Sequence, residues 1–371
     1  MARFILFLLA TLFALTQAHP SPTDGALIVQ AAASPFLLGV NLGGWLVLEP
    51  FLTPELFAAN GAVDQWTFDQ QAGSENVLRH HWDTFCTEAD IQKLASYGVN
   101  AVRIGIGFWA YDNAGTPYHS GADAYLSKAI QWAKNAGILV VIELHGAPGS
   151  QNGDWQTGSG NLDRTTNVLK IIAQKYGTKE LANTVVAIEL VNEPTNTLPN
   201  TLQTTKSWTK TAYGAVRAAA SNKNLRIVMH DQNLDQPGHI KKVCKFATEQ
   251  LAFAKKNSLP THVGEFSGNT FICVNPDGST FADPEGTGKI CRAKGCQCET
   301  DGGIDVNEWS DALTRQVRRY IEAQLYVYEE YAGGWFFWNF KGPGSWGFMA
   351  GIEKGFIPKP LADRHYPNPC A

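Results

Sequence analysis

The sequence predicts a single α/β domain, a (β/α)8 TIM barrel, and three observations carry that expectation. Short apolar runs rich in β-branched residues alternate with amphipathic stretches, the rhythm of βαβ units around a parallel sheet. The early glycine-rich segment Gly39 to Gly44 lacks G-x-G-x-x-G spacing and runs into Trp45-Leu46-Val47-Leu48, which argues against a dinucleotide-binding sheet. The polar residues that interrupt the apolar runs fall at strand C-terminal ends, where barrel enzymes place their chemistry.

In chain order, the expected strands are Phe36 to Asn41, Ala101 to Ile106, Leu139 to Leu144, Val185 to Leu190, Leu225 to Met229, Thr261 to Val263 and Gly334 to Trp338. Apolar residues at helical spacing place helices at Glu88 to Ser96, Ala124 to Asn135, Thr165 to Tyr176, Trp208 to Ala220, Ile240 to Lys256 and Trp309 to Tyr331. Ile321, Leu325 and Tyr328 read as a core-facing stripe of the last of these. The Cys- and Gly-rich stretch Asn269 to Gly303 reads as a long loop. One element is lacking. Only about thirty residues separate Met229 from Thr261, and Ile240 to Lys256 takes most of them as a helix, so the sixth strand is expected to be missing or shortened.

The composition sets the class of protein. The 371 residues are 44% hydrophobic and 17% charged, enough apolar surface for a packed core, and a formal net charge of −4 gives no footprint for nucleic acid. Residues 1–18 resemble a secretory signal peptide: one positive charge at Arg3, an apolar run from Phe4 to Leu15, and Thr16-Gln17-Ala18 at a cleavage site. That run is too short for a membrane span, and no later one is longer. Residues 19–34 form a short leader, and 35–371 the barrel domain, expected to be secreted and monomeric. Seven cysteines in such a chain imply disulfides plus one odd thiol. Cys291, Cys296 and Cys298 lack a nearby histidine and read as a stapled loop in preference to a zinc site.

Two glutamates stand out. Glu193 follows the fourth strand in Asn192-Glu193-Pro194, and Glu265 closes Thr261-His262-Val263-Gly264-Glu265. Two carboxyl groups facing one pocket are the minimal apparatus for cleaving a glycosidic bond; a lone Asn-Glu-Pro would equally suit a loop cap. Arg103 sits where an inward guanidinium could bond a nucleophilic carboxylate. Strand parity puts Glu143 on the face of His145, and Glu143 and Glu189 read as buried partners of Arg103. Trp338 ends the last strand, as a stacking floor for a sugar or as core.

Five segments together resemble the exo-β-1,3-glucanases of glycoside hydrolase family five. They are Gly39 to Pro50 (GVNLGGWLVLEP), His81 to Asp90 (HWDTFCTEAD), Leu144 to Gly153 (LHGAPGSQNG), Ile188 to Pro194 (IELVNEP) and Arg318 to Leu325 (RRYIEAQL). The resemblance, over about residues 35 to 371, implies a retaining hydrolase that releases glucose from the non-reducing end of cell-wall β-1,3-glucan, with possible glycosyl transfer and no metal or organic cofactor. It implies Glu193 as acid/base, Glu265 as nucleophile, Asn192 on the sugar 2-hydroxyl, and Glu49, Arg103, His145 and Trp338 around the first sugar. It also implies a Cys244–Cys370 disulfide and a partner for Cys273 among Cys291, Cys296 and Cys298. The chain departs from the family pattern at Asp154 to Gly158, where Trp155 either replaces an aromatic clamp or packs on the rim. It departs again after His230-Asp231, where the sixth-strand histidine and tyrosine have no counterpart. A β-glycosidase of other linkage, on β-1,6-glucan or a glucosylated lipid, and a catalytically impaired glucan-binding homologue are the alternatives.

Overall fold

The computed structural model describes residues 35–150, 160–194, 201–230, 240–283, 288–299 and 305–370. The expected signal peptide and leader lie outside these residues, as do Asp154 to Gly158 and Gln232 to Gln236.

Seven strands form one parallel sheet: β1 (Leu37–Asn41), β2 (Ala101–Gly107), β3 (Leu139–Gly146), β4 (Val185–Glu189), β5 (Arg226–Val228), β6 (Val263–Phe266) and β10 (Gly334–Phe337). Their spatial order is β5-β4-β3-β2-β1-β10-β6. Register fixes which residues face inward. Asn41 pairs with Arg103, and Glu143 with Glu189, while residues two positions earlier along the strands, Ala101, Val141 and Ala187, form an apolar cluster with Leu37 and Phe336. A polar layer therefore rests on an apolar plug, both inside the curl of the sheet. The curl is evident from Asn41 on β1, whose Nδ2 reaches past β10 to donate to the carbonyl of Gly264 on β6 at 2.9 Å.

The helices cover the outer face. They are α1 (Pro54–Ala58), α2 (Gln65–Asp69), α3 (Ser74–Thr84), α4 (Glu88–Ser96), α5 (Ala122–Ala136), α6 (Leu162–Tyr176), α7 (Thr201–Ala219), α8 (Ile240–Lys242), α9 (Thr248–Lys256), α10 (Asp311–Tyr331) and α11 (Phe348–Lys354). A capping box starts α4: the Thr87 hydroxyl accepts from the Asp90 amide and the Asp90 carboxylate from the Thr87 amide. Buried Ile321, Leu325 and Tyr328 on α10 form the expected stripe.

Several expected elements are corrected. The strand expected at Thr261 to Val263 runs from Val263 to Phe266, so Glu265 lies within it; Thr261 instead accepts the Gly333 amide through its carbonyl. Ile240 to Lys256 is interrupted by a π-helical turn, Val243–Ala247, one extra residue per turn inside an otherwise α-helical path. Trp309 precedes its helix, buried between a 3-10 turn and the Ser310 N-cap. Asn269 to Gly303 is not simply loop: β7 (Ile272–Val274), β8 (Thr280–Ala282) and β9 (Gln297–Cys298) make a small antiparallel sheet. Its strands are two or three residues long, below what periodicity can register.

Cys244 and Cys370 are bonded, Cys273 pairs with Cys298 and Cys291 with Cys296, leaving Cys86 as a buried thiol. The Sγ atoms of Cys273, Cys291 and Cys298 lie within 4.8 Å of one another, a spacing that could also suit a metal, but all three are taken up in disulfides. No helix among the described residues is long and apolar enough to cross a membrane.

Candidate active site

The site grows from one guanidinium. Arg103, 1% exposed at the middle of β2, donates through Nε and Nη2 to the two oxygens of Glu189 at 2.9 and 2.8 Å. Its Nη1 donates to Glu265 Oε1 at 2.7 Å and to Asn41 Oδ1 at 3.0 Å, and Nη2 also reaches Asn192 Oδ1 at 3.0 Å. A planar fork is needed to serve four acceptors on β1, β4, β6 and the segment after β4. Glu143 stands 3.8 Å from Nη1 and holds His145 Nδ1 at 3.1 Å, as strand parity requires. Gly105 leaves room for this pair, since a Cβ there would sit 2.8 Å from the Glu143 carboxylate.

Glu49 enters from the loop after β1. Its Oε1 accepts the Gly44 amide at 3.0 Å and lies 3.6 Å from His145 Nε2. Trp338 follows β10, only 6% exposed, and its indole lies nearly parallel to the His145 ring with centroids 5.8 Å apart. It also fills the space a side chain on Gly43 would occupy, a Cβ there meeting the indole at 2.4 Å. Asn339 brackets Gly43, donating to its carbonyl and accepting its amide, both at 2.8 Å.

Burial pushes the Glu265 carboxyl above its ordinary value; Arg103, His230 and His145 pull it down, and the negative charge of Glu193 adds to the rise. The two glutamates thus act on one another within a single site. Glu193 occupies the left-handed region at φ 43°, a conformation costly for a non-glycine residue and concentrated at functional positions. Burial raises Glu49 to about 7, against the pull of His145. Burial disfavours charge on His145, yet Glu143, Glu49 and Glu265 outweigh it and push the ring to about 10. Glu189 is held far below the usual range by Arg103 and His230 in spite of its burial. Asn192 commits its Oδ1 to Arg103, so Nδ2 is the side-chain atom with which it can donate.

The seven residues that the resemblance assigns to the site, Glu49, Arg103, His145, Asn192, Glu193, Glu265 and Trp338, come together at one end of the sheet. Two were missed. Asn41 ties β1 to β2, β6 and β10, and its place inside Gly39-Val-Asn-Leu-Gly-Gly gave no chemical signal. His230, two residues beyond β5, meets Glu189 Oε1 through Nδ1 at 3.0 Å, and strand parity would have placed it there.

A family model described as Cellulase (glycosyl hydrolase family 5) matches residues 64–291. A protein of Aspergillus fumigatus named probable glucan 1,3-beta-glucosidase A is 35% identical over 384 residues, covering 90% of each chain. The chain belongs to glycosyl hydrolase family 5. The family 5 chain is also 32% identical to a glucan 1,3-beta-glucosidase of Lachancea kluyveri over 449 residues, covering 99% of each. Among solved structures, rutinosidase from Aspergillus niger superposes with a TM-score of 0.64 at 18% identity, covering 87% of this chain and 98% of that one. A family 5 enzyme from Prevotella bryantii gives 0.55 at 13% identity, over 86% and 95%. These two bear on the fold alone, and they agree with a TIM-like α/β architecture.

Proposed function

We propose that this family 5 glycosidase is a retaining glucan 1,3-β-glucosidase, secreted behind an N-terminal signal peptide and acting as a monomer on cell-wall β-glucan from the non-reducing end. The observation that carries the chemistry is the 2.7 Å bond from Arg103 to Glu265, with Glu193 within electrostatic reach of the same carboxylate. The substrate rests on the two fungal relatives and their names. In this reading Glu265 attacks the anomeric carbon while Glu193 protonates the leaving oxygen; Glu193 then takes a proton from water, which displaces Glu265. Arg103 holds the attacking oxygen, Asn192 Nδ2 meets the sugar 2-hydroxyl, Glu49 and His145 receive the remaining hydroxyls, and Trp338 forms the floor. Each step moves only protons and one glycosyl bond, which calls for no cofactor. Glycosyl transfer follows when a sugar hydroxyl replaces water.

The sixth strand is absent from this chain in our reading. The A. fumigatus alignment supports it: 90% of this chain spread over 384 positions leaves about 50 positions of the relative without a counterpart. Among the described residues β5 and β6 are the two end strands of the sheet, and the seam lies between them. Turnover is therefore expected to be reduced, and this seam is what favours the impaired glucan-binding homologue as the second reading.

Laminarin hydrolysis by the purified chain, beside Glu265→Gln, tests both. Release of glucose that is abolished in the variant supports the hydrolase; laminarin binding without turnover supports the second reading; neither binding nor turnover rejects both. Activity confined to β-1,6-glucan or a glucosylated lipid would move the linkage.

A further inference from the structure

The polar layer holds more carboxylates than Arg103 can serve alone. Glu143 is taken by His145, but Glu189 and Glu265 compete for one guanidinium, and Glu189 already holds two of its three nitrogens. His230 supplies Glu189 with a further donor: its Nδ1 meets Oε1 at 3.0 Å, on the oxygen that also receives Arg103 Nη2 at 2.8 Å. His230 stands at the end of β5, beside the seam, and its side chain is 12% exposed.

We propose that His230 is a positioning residue for Glu265, acting through Glu189 and Arg103: by sharing the charge of Glu189 it leaves Arg103 Nη1 to the nucleophile. It touches neither reacting atom. Without it Glu189 would draw the guanidinium more strongly, and the carboxylate of Glu265 would lose field from both cations. The inference rests on the nucleophile reading of Glu265. The charged and titratable groups around His230 are Glu189 on β4, Arg103 on β2, Glu265 on β6 and His262 just before β6, which in turn feels Arg226 on β5. Those around Glu265 are Arg103, His230, His145, Glu193 and Glu49. Burial works against a charge on His230 and Glu189 favours it, with a net rise above the ordinary imidazole value.

The test reads the carboxyl of Glu265 directly. In full-length protein with 13C-labelled glutamate, the Glu265 resonance is assigned by its loss in Glu265→Gln, and its titration is compared between the unaltered chain and His230→Gln, which keeps a donor but no charge. The expected result is an upward move of the Glu265 midpoint by about one pH unit, a roughly tenfold smaller ionised fraction at acid pH. The acid limb of kcat should move with it and KM should stay within about twofold. Coincident titrations, or a His230 ring that 15N spectra of the unaltered chain show neutral at pH 6, would overturn the proposal even if the variant folds poorly. If the unaltered chain is inert on laminarin, the hydrolase reading fails, while the two titrations still decide the role of His230.

Discussion

Arg103 gathers the site because its neighbours were placed by strand register before any chemistry was asked of them. Asn41, Glu143 and Glu189 occupy inward positions of β1, β3 and β4, so the alternation that buries Ala101 and Val141 below also presents the polar layer above. That much was legible, since parity in Ala101-Val102-Arg103 and Glu143-Leu144-His145 needs only the strand. Glu49 was legible only through family resemblance, because it hangs from a loop whose geometry no period describes, and His230 was overlooked because it falls one residue past the expected strand Leu225 to Met229, beyond which the alternation was not carried. Arg103→Lys should cost about 3 to 5 kcal/mol of stability, the penalty for a buried pair left incomplete, and lower kcat at least about a hundredfold. Denaturant unfolding and laminarin kinetics on the same preparation check both. The raised carboxyl of Glu265 carries its own consequence. The attacking form is the ionised one, so kcat/KM should fall as pH drops, with the acid limb above the ordinary carboxylate range of about 4.3. For folding the sign is opposite: a raised carboxyl destabilises the folded state above the unfolded value, so Glu265→Gln should unfold at a higher temperature than the unaltered chain at pH 7, and a lower one would contradict the assigned shift.

At the scale of elements, the long helices and buried strands followed their patterns and the small pieces did not. The Thr87–Asp90 capping box is readable in Cys-Thr-Glu-Ala-Asp, whereas the short strands β7, β8 and β9 hide among glycines, and the shift of β6 follows from its irregular pairing to β10 between Trp335 and Phe337. Helix α10 is tied to the C-terminal segment. Arg318 pairs with Glu322 one turn on, donates to the carbonyls of Gly355 and Asp363, and Glu322 accepts the amides of His365 and Tyr366 at 3.1 and 2.7 Å. The C-terminal segment is thus strapped to the helix by a buried ion pair whose charges are satisfied by backbone. Glu322→Ala would strand the guanidinium and two amides together. We expect a loss of about 3 to 5 kcal/mol and early protease cleavage after Arg364, with α10 itself intact; uncut chain at equal protease exposure would show the strap to be dispensable.

For the molecule as a whole, the question is what holds the sheet where β5 and β6 end it. Cys244 in the π turn is bonded to Cys370, closing a loop of 126 residues that contains β6, the small sheet, α10 and β10. A cross-link over that span restricts the unfolded chain by about 4 to 5 kcal/mol in the chain-entropy account, so it stabilises the folded state as a whole against unfolding. Outside the closed loop the sheet is held by the long β2–β3 register and the apolar plug. Among the described residues β5 and β6 have a strand partner on one side only, and they are three and four residues long. Their amides should therefore open by local fluctuation well before the sheet does, while those of β2 and β3, paired on both sides, should open only with global unfolding. Hydrogen exchange followed by mass spectrometry should find peptides over 226–228 and 263–266 exchanging at least about tenfold faster than those over 101–107 and 139–146, a difference of about 1.4 kcal/mol. Reducing the disulfides should speed exchange at 101–107 and 139–146, which open only with global unfolding and so lose the stability that the Cys244–Cys370 cross-link supplies. Equal protection at both ends and the middle would mean that the sheet is closed after all, and the reduced turnover we expect would lose its cause.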